Sequence, residues 1–354
     1  MVAHLNSEAG GNPDLRLLYG AIQELGDVEI RALSTAGLVR HRCNLIHFYW
    51  PEWCVRRGSA LLTSLDAARL LAGVAIARRR GAKVVWTGNN LWPHELDRAG
   101  VVQTFMNGFS RLVDQLICSS QTTLDLFVQQ YPALRVVDHR VIPLGHYRGV
   151  YPDDGLSRDE AREKLNLPCQ ARIVLCIGMM RPYKGLVRLL HCYREIVDTV
   201  DEAFLLVAGK PIEGAFARRL RRECEDVKNV RLDMRFLPVE EIQYYLRAAD
   251  CVINSTPLAV NSGSAMLALS YDRPVLLPHR GTFIELRETL GPEWVHTYEG
   301  GLRPQVLRSA FDIERPPGRP ALDRYDWSLL GRLTYGAYAD LVGAGRTASR
   351  AARR

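Results

Sequence analysis

Residues Ile173–Leu186 read IVLCIGMMRPYKGL. An apolar run of strand length ends at Gly178, a loop carrying Arg181 and Lys184 follows, and Gly185 opens a helical pattern. Apolar side chains then fall at Leu186, Leu189, Leu190, Tyr193, Ile196, Val197 and Val200, the spacing of one helix face. A buried strand that feeds a helix through a short loop is half of a βαβ unit. Chains built of such units form parallel sheets covered on both faces.

The alternation continues outward in both directions. Further strand segments in the second half are AFLLVA, NVRLD, DCVIN and RPVLLP; in the first half they are VEIRA, NLIHFY, KVVWT, DQLIC and RVVDHRVI. Between the halves lies GHYRGVYPDDGLSRDEAREKL (145–165), where Pro152–Gly155 make a turn-rich break and Ser157 with Glu160 reads as a capping box. The expected fold class is therefore α/β, with two doubly wound, Rossmann-like parallel sheets. The domains would span 1–151 and 156–325 and face a cleft, with ligands outside the carboxyl ends of the strands.

Bulk properties narrow the class. The chain has 354 residues, 47% hydrophobic and 24% charged, with a net charge of +7. This is a globular composition with room for two cores. The opening MVAHLNSEAGG lacks a basic segment followed by an apolar one, so no signal peptide is read. The greasy stretch LLTSLDAARLLAGVAIA carries Asp66 and Arg69 and is rejected as a membrane span. A cytoplasmic protein is expected. Its eight cysteines are scattered singly, without metal-ligand spacing, so neither zinc nor disulfides are expected. Part of the positive charge sits in the closing RTASRAARR, expected to be disordered, and part in Arg78–Arg80, which would complement a helix dipole. Basic and aromatic residues do not interleave, which argues against nucleic acid; peripheral contact with an anionic membrane face remains an alternative use of the charge.

Two segments carry anion chemistry. Arg181 and Lys184 stand where a strand gives way to a helix N-terminus, offering a guanidinium fork and a point charge. Asn261, Ser262, Gly263 and Ser264 are helix-capping residue types that follow the strand DCVIN, and Ala265–Leu269 is apolar on every face. Two anion sites on one sheet edge suit a diphosphate.

In order, GMMRPYKGLVRLL, FLLVAGKP, NVRLDMRFLPVEEIQYYLRAADCVINS and SGSAMLALSYDRPVLLP resemble the donor half of GT-B glycosyltransferases of the family-4-like kind. HFYWPEW, NNLWPHE and IPLGHYRGVYP resemble the first half of a bacterial, mannosyltransferase-like subgroup. The resemblance covers nearly the whole chain. It implies a metal-independent hexosyltransferase with no cofactor, which uses a nucleotide-diphosphate sugar, GDP-mannose first among them. The acceptor would be a saccharide, a lipid-linked saccharide or a small-molecule aglycone, as in polysaccharide or natural-product biosynthesis.

Residue by residue, the resemblance implies that Arg181, Lys184, Asn261, Ser262, Gly263 and Ser264 hold the donor diphosphate. Leu237 and Pro238, in the loop Arg235–Pro238, would hold the base; Gly145 and His146 would sit at the hinge, and Gly10–Pro13 in the first glycine-containing loop. Helix 326–343 would pack back on the first domain, leaving 344–354 as a basic tail. Two glutamates common in the family are replaced by Ala259 and Leu267, and Asn89 stands where the subgroup carries histidine.

Inverting transfer needs a base for the acceptor hydroxyl. The candidates are Glu52 in YWPEW and His94 and Glu95 in WPHE; in retaining transfer the leaving phosphate itself takes the proton. Trp50, Trp53 and Trp92 offer stacking faces for a sugar, and His47, inside a strand, reads as a core histidine. A sugar-nucleotide epimerase, a catalytically silent nucleotide-sugar-binding partner and a membrane-surface binding protein are the alternatives.

Overall fold

The structure is a computed structural model that describes residues 1–5, 13–26, 28–55, 59–91, 99–256 and 258–351. It divides into two units, Met1–Gly145 with Arg324–Arg354, and His146–Asp323.

The first unit holds a six-stranded sheet of β1 (Val2–His4), β2 (Ile30–Ala32), β3 (Leu45–Phe48), β4 (Lys83–Gly88), β5 (Gln115–Cys118) and β6 (Asp138–Val141). All pairs are parallel, in the order β2-β1-β3-β4-β5-β6. Its helices are α1 (Asp14–Gln23), α2 (Thr35–Arg40), α3 (Ala60–Arg79), α4 (Ala99–Ser110) and α5 (Gln121–Gln130). Serine side chains start three of them: Ser34, Ser59 and Ser120 accept from the N–H groups of Gly37, Leu62 and Thr123 at 3.1, 3.2 and 3.0 Å. One sheet face packs on Phe48, Trp86, Phe109, Phe127 and Tyr131, the other on Leu18, Tyr19, Ile22, Val85 and Tyr338.

The second unit contains α6 (Arg158–Lys164), α7 (Leu186–Ile196), α8 (Gly214–Cys224), α9 (Ile242–Ala248), α10 (Gly263–Ser270), α11 (Thr282–Leu290) and α12 (Pro304–Phe311). They flank β7 (Arg172–Ile177), β8 (Ala203–Ala208), β9 (Val230–Asp233), β10 (Cys251–Ile253), β11 (Val275–Pro278) and β12 (Val295–Tyr298). These strands are parallel too, in the order β12-β11-β10-β7-β8-β9. The capping box at Ser157 forms as read, with Glu160 accepting the Ser157 N–H at 2.8 Å.

The amino edges of the two sheets share one device. Asp114, ahead of β5, accepts the Val84 N–H at 2.8 Å and pairs with Arg78 at 2.7 Å. Asp250, ahead of β10, accepts the Ile173 N–H at 2.7 Å and pairs with the buried Arg162 at 2.8 Å. In each unit a carboxylate thus satisfies a strand N–H that the sheet leaves open.

Helix α13 (Trp327–Ala351) belongs to the first unit, where it packs along α1. The approach is close: a Cβ on Gly331 of α13 would lie 2.7 Å from the Ala21 Cβ of α1. Gln115 ties the helix to β5, with Nε2 donating to the Ala337 carbonyl at 3.2 Å.

Several expectations are corrected. The units part at Gly145/His146, ahead of the Pro152–Gly155 break, because the Tyr147 N–H donates to Ser270 and Arg148 pairs with Asp272, both in the second unit. Helical backbone continues through the expected tail as far as Ala351; the alanines and arginines there are strong helix formers. RVVDHRVI is only half strand, since Pro132–Val136 form a 3-10 turn started by proline. Strands β1 and β12 add one strand to each sheet beyond the segments expected from the sequence. Arg78 binds Asp114 rather than only facing a helix end.

Candidate functional site

Counted from β7, the second sheet has the strand order 3-2-1-4-5-6, so the direction in which strands are added reverses between the parallel β7 and β10. Loops leaving those two strands diverge and open a crevice at their carboxyl ends. The loop after β7 carries Arg181 and Lys184; the segment after β10 leads to α10. The two anion-binding segments read from the sequence therefore leave the two strands that flank this reversal.

The first loop is built on close backbone contact. Gly178 follows β7 at φ 123°, and Gly209 follows β8 at φ 143°. A Cβ on Gly209 would stand 2.1 Å from the Gly178 carbonyl oxygen, so no side chain fits there. The Gly178 N–H donates to Ala208 O at 2.9 Å and the Met180 N–H to Lys210 O at 2.9 Å. A short 3-10 turn, Pro182–Lys184, brings the chain into α7, and the Ser255 hydroxyl donates to the Lys184 carbonyl at 2.7 Å. That bond joins the exits of β7 and β10. Ser255 escaped the sequence reading; its only signal was a hydroxyl directly after a strand.

Burial lowers the Lys184 ammonium from its ordinary pKa, and the Arg181 guanidinium adds to the shift against an opposing effect of Cys176. Among the described residues no carboxylate pairs with Lys184. A half-buried cation without a counter-charge is less well solvated than in water, and an arriving anion relieves that cost.

At α10, the Ser262 hydroxyl accepts the Ala265 N–H at 3.2 Å and lies 2.9 Å from the Ser264 hydroxyl. By helix geometry the Gly263 and Ser264 N–H groups have no carbonyl in their own helix. Ala265, Met266, Ala268 and Leu269 are buried, which explains a helix apolar on every side. The loop after β9 is pinned in turn. Arg235 binds Glu241 and the Tyr245 hydroxyl, which itself donates to Asp233 at 2.7 Å. Leu237 is buried and the Pro238 carbonyl accepts the Glu241 N–H at 3.0 Å, while Phe236 is exposed. His146 Nδ1 accepts the Arg148 N–H at 3.2 Å.

The first sheet reverses between β1 and β3. Glu52 is buried in the 3-10 turn Pro51–Val55 after β3, with Oε1 accepting from Asn90 Nδ2 at 3.3 Å. Asn89 Nδ2 donates to the Tyr49 carbonyl at 3.4 Å. His94, Glu95, Trp92 and Gly10–Asn12 lie outside the described residues. His47 is a core residue: Nδ1 meets the hydroxyls of Tyr19 and Tyr338 at 2.9 and 2.8 Å, and Nε2 meets Thr87 at 2.7 Å. Burial pushes its pKa down to about 3, with His4 adding to the shift, so it is neutral near pH 7. Trp50 packs edge-on against Tyr49 at 4.9 Å, and Trp53 is exposed.

Comparison with known proteins places this geometry. No family model matches the chain. Over 338 residues it is 27% identical to a GDP-mannose:glycolipid 4-beta-D-mannosyltransferase of Xanthomonas campestris pv. campestris, covering 95% of this chain and 90% of that one. Among solved structures, HepE of Anabaena with UDP and glucose superposes with a TM-score of 0.64 at 15% identity over 99% of both chains. Sucrose-phosphate synthase of Thermosynechococcus elongatus does so with a TM-score of 0.56 at 19% identity, over 88% of this chain and 73% of that one. The chain has the GT-B fold. An alpha-monoglucosyldiacylglycerol synthase of Streptococcus pneumoniae is 24% identical over 220 residues, covering 58% of this chain and 48% of its own length.

Proposed function

We propose that this chain is a glycosyltransferase, which moves a mannosyl residue from GDP-mannose to a lipid-linked saccharide, without a metal ion. The observation that carries the donor assignment is the half-buried Lys184, without a carboxylate partner among the described residues, at the β7/β10 reversal, on the sheet edge where α10 begins. The name of the Xanthomonas relative supports the choice of GDP-mannose and of a glycolipid acceptor.

In this reading Arg181, Lys184 and the first N–H groups of α10 bind the diphosphate. As the bond from the anomeric carbon to the phosphate oxygen breaks, GDP leaves with the electron pair, and these groups stabilise the growing negative charge. Such fixed positive groups do what a divalent cation does elsewhere, so a chelator is expected to leave transfer intact. Asn261, Ser262 and Ser264 orient the phosphates, while Leu237 and Pro238 bound the base and His146 borders the donor. The acceptor hydroxyl bonds to the anomeric carbon and its proton passes to a basic side chain of the first unit. Glu52 is the described residue best suited, being buried and held by Asn90; His94 and Glu95 are the other two candidates.

Calorimetry with GDP-mannose tests the reading. Micromolar binding by the native chain, lost in Lys184→Ala with an unchanged circular dichroism spectrum, supports it. Tighter binding of a UDP sugar than of GDP-mannose would remove the mannosyl assignment, and transfer to a soluble aglycone but not to a lipid-linked saccharide would replace the acceptor.

A further inference from the structure

Helix α3 buries Thr63, Ala67, Leu70, Gly73, Val74 and Ala77 against its own unit. An ordinary amphipathic helix would turn polar residues to water on the other side. Here the outward stripe begins with Leu61 and Leu65, 71% and 43% exposed, flanked by Leu62 at 46%. It continues through the exposed Ala68 and Ala72 to the exposed Arg79. The 3-10 turn Pro51–Val55, packed against α3, adds Trp53 at 45% exposure. Large apolar side chains gathered at one place on a surface mark a contact rather than chance exposure.

Charge selects the occupant. From Ser59 to Arg80 the chain carries one carboxylate, Asp66, against the four arginines 69, 78, 79 and 80; Arg78 is already held by Asp114, so the outward positive charge is that of the exposed Arg69, Arg79 and Arg80. Asp66 is half-buried, and Arg69 beside it is exposed. Arg40 and Arg42, exposed at the end of the neighbouring α2, extend the positive field. An apolar stripe with a tryptophan at one end and arginines along its length matches a helix lying in the surface of an anionic bilayer, its leucines among the acyl chains and its guanidiniums at the headgroup phosphates.

We infer that the exposed face of α3, with Trp53, docks the protein flat on a membrane rich in anionic lipid. This surface lies outside the donor site, so its failure leaves the nucleotide-binding reading untouched, and the reverse holds.

The test is sedimentation of the full chain with vesicles of phosphatidylglycerol and phosphatidylcholine, and with vesicles of phosphatidylcholine alone. The chain is expected to pellet with the first and at least about tenfold less with the second, and raised salt should release it. Leu61→Glu with Leu65→Glu should lower binding about tenfold or more, as expected for expelling two leucines and adding two repelled charges, with the melting temperature and GDP binding unchanged. Val136→Glu, which removes a 90% exposed valine from another place on the same unit, is the control and should bind as the native chain does. Equal loss in the control, or binding that ignores the leucines, overturns the proposal. So does a native dimer that the leucine pair dissociates and that ignores vesicles, because the face would then join two copies.

Discussion

The two sheets are alike at one edge and unlike at the other. At the amino edges, Asp114 and Asp250 do the same task with the same geometry, each joining an arginine to a strand N–H. At the carboxyl edges the resemblance ends. His47 in the first unit has both ring nitrogens satisfied, whereas Lys184 in the second is half-buried with no counter-charge among the described residues. A completed network stiffens a fold, whereas an incomplete one is stabilised by whatever completes it. The contrast teaches that binding energy is held in reserve in the second unit.

The strongest way to break that contrast is steric. Gly209→Ala forces a methyl group onto the Gly178 carbonyl at a φ that disfavours side chains. It should cost about 3 kcal/mol or more in a urea melt; a neutral substitution would mean that the loop is not held as described. Next in size, Arg181→Ala with Lys184→Ala should weaken nucleotide-diphosphate binding about a hundredfold or more, since each charge-assisted bond contributes about 1.5–3 kcal/mol. Because Lys184 has no carboxylate partner among the described residues, the apo chain with Lys184→Ala alone should melt no lower than the native one. A melting temperature lowered by several degrees would show that the cation is already compensated.

The first unit is tested by acid. His47 is neutral in the fold with a pKa near 3, against an ordinary value of 6.5. The unfolded chain therefore binds the extra proton first, and stability falls as pH drops from about 6.5 toward 3, by at most about 1.4 kcal/mol per pH unit from this group. His47→Gln should flatten that slope in melts between pH 6.5 and 4, and an unchanged slope would remove His47 as its source. The smallest expected effect is at the α10 cap. Ser262→Ala should cost about 1 kcal/mol of stability, with a modest loss of donor affinity measured by calorimetry.

Much of this was legible in the sequence where neighbours along the chain decide the outcome. IVLCI and PVLLP are continuous apolar runs of strand length bounded by glycine or proline, which marks them as buried strands, and Ser157 with Glu160 fixes a helix start within four residues. β1 is three residues long, and β12 carries His296 and Thr297, so neither shows the pattern of a buried strand. The donor segments were readable because each lies within a few residues of its strand end. The His47 network was not: Tyr338 reaches it across 291 positions, a separation no local pattern encodes. Ser255 was missed for a related reason, since its partner, the Lys184 carbonyl, lies 71 positions away.

The placement of α13 sets the order in which this molecule can be completed. The ribosome must deliver all of residues 146–323 before the helix that clamps α1 and closes over His47 exists. The amino-terminal sheet, made first, is thus finished last, and until then its apolar face awaits a lid from the other end of the chain. A premature stop near residue 326 would leave the second unit whole and cripple the first, although every strand of the first had already been made.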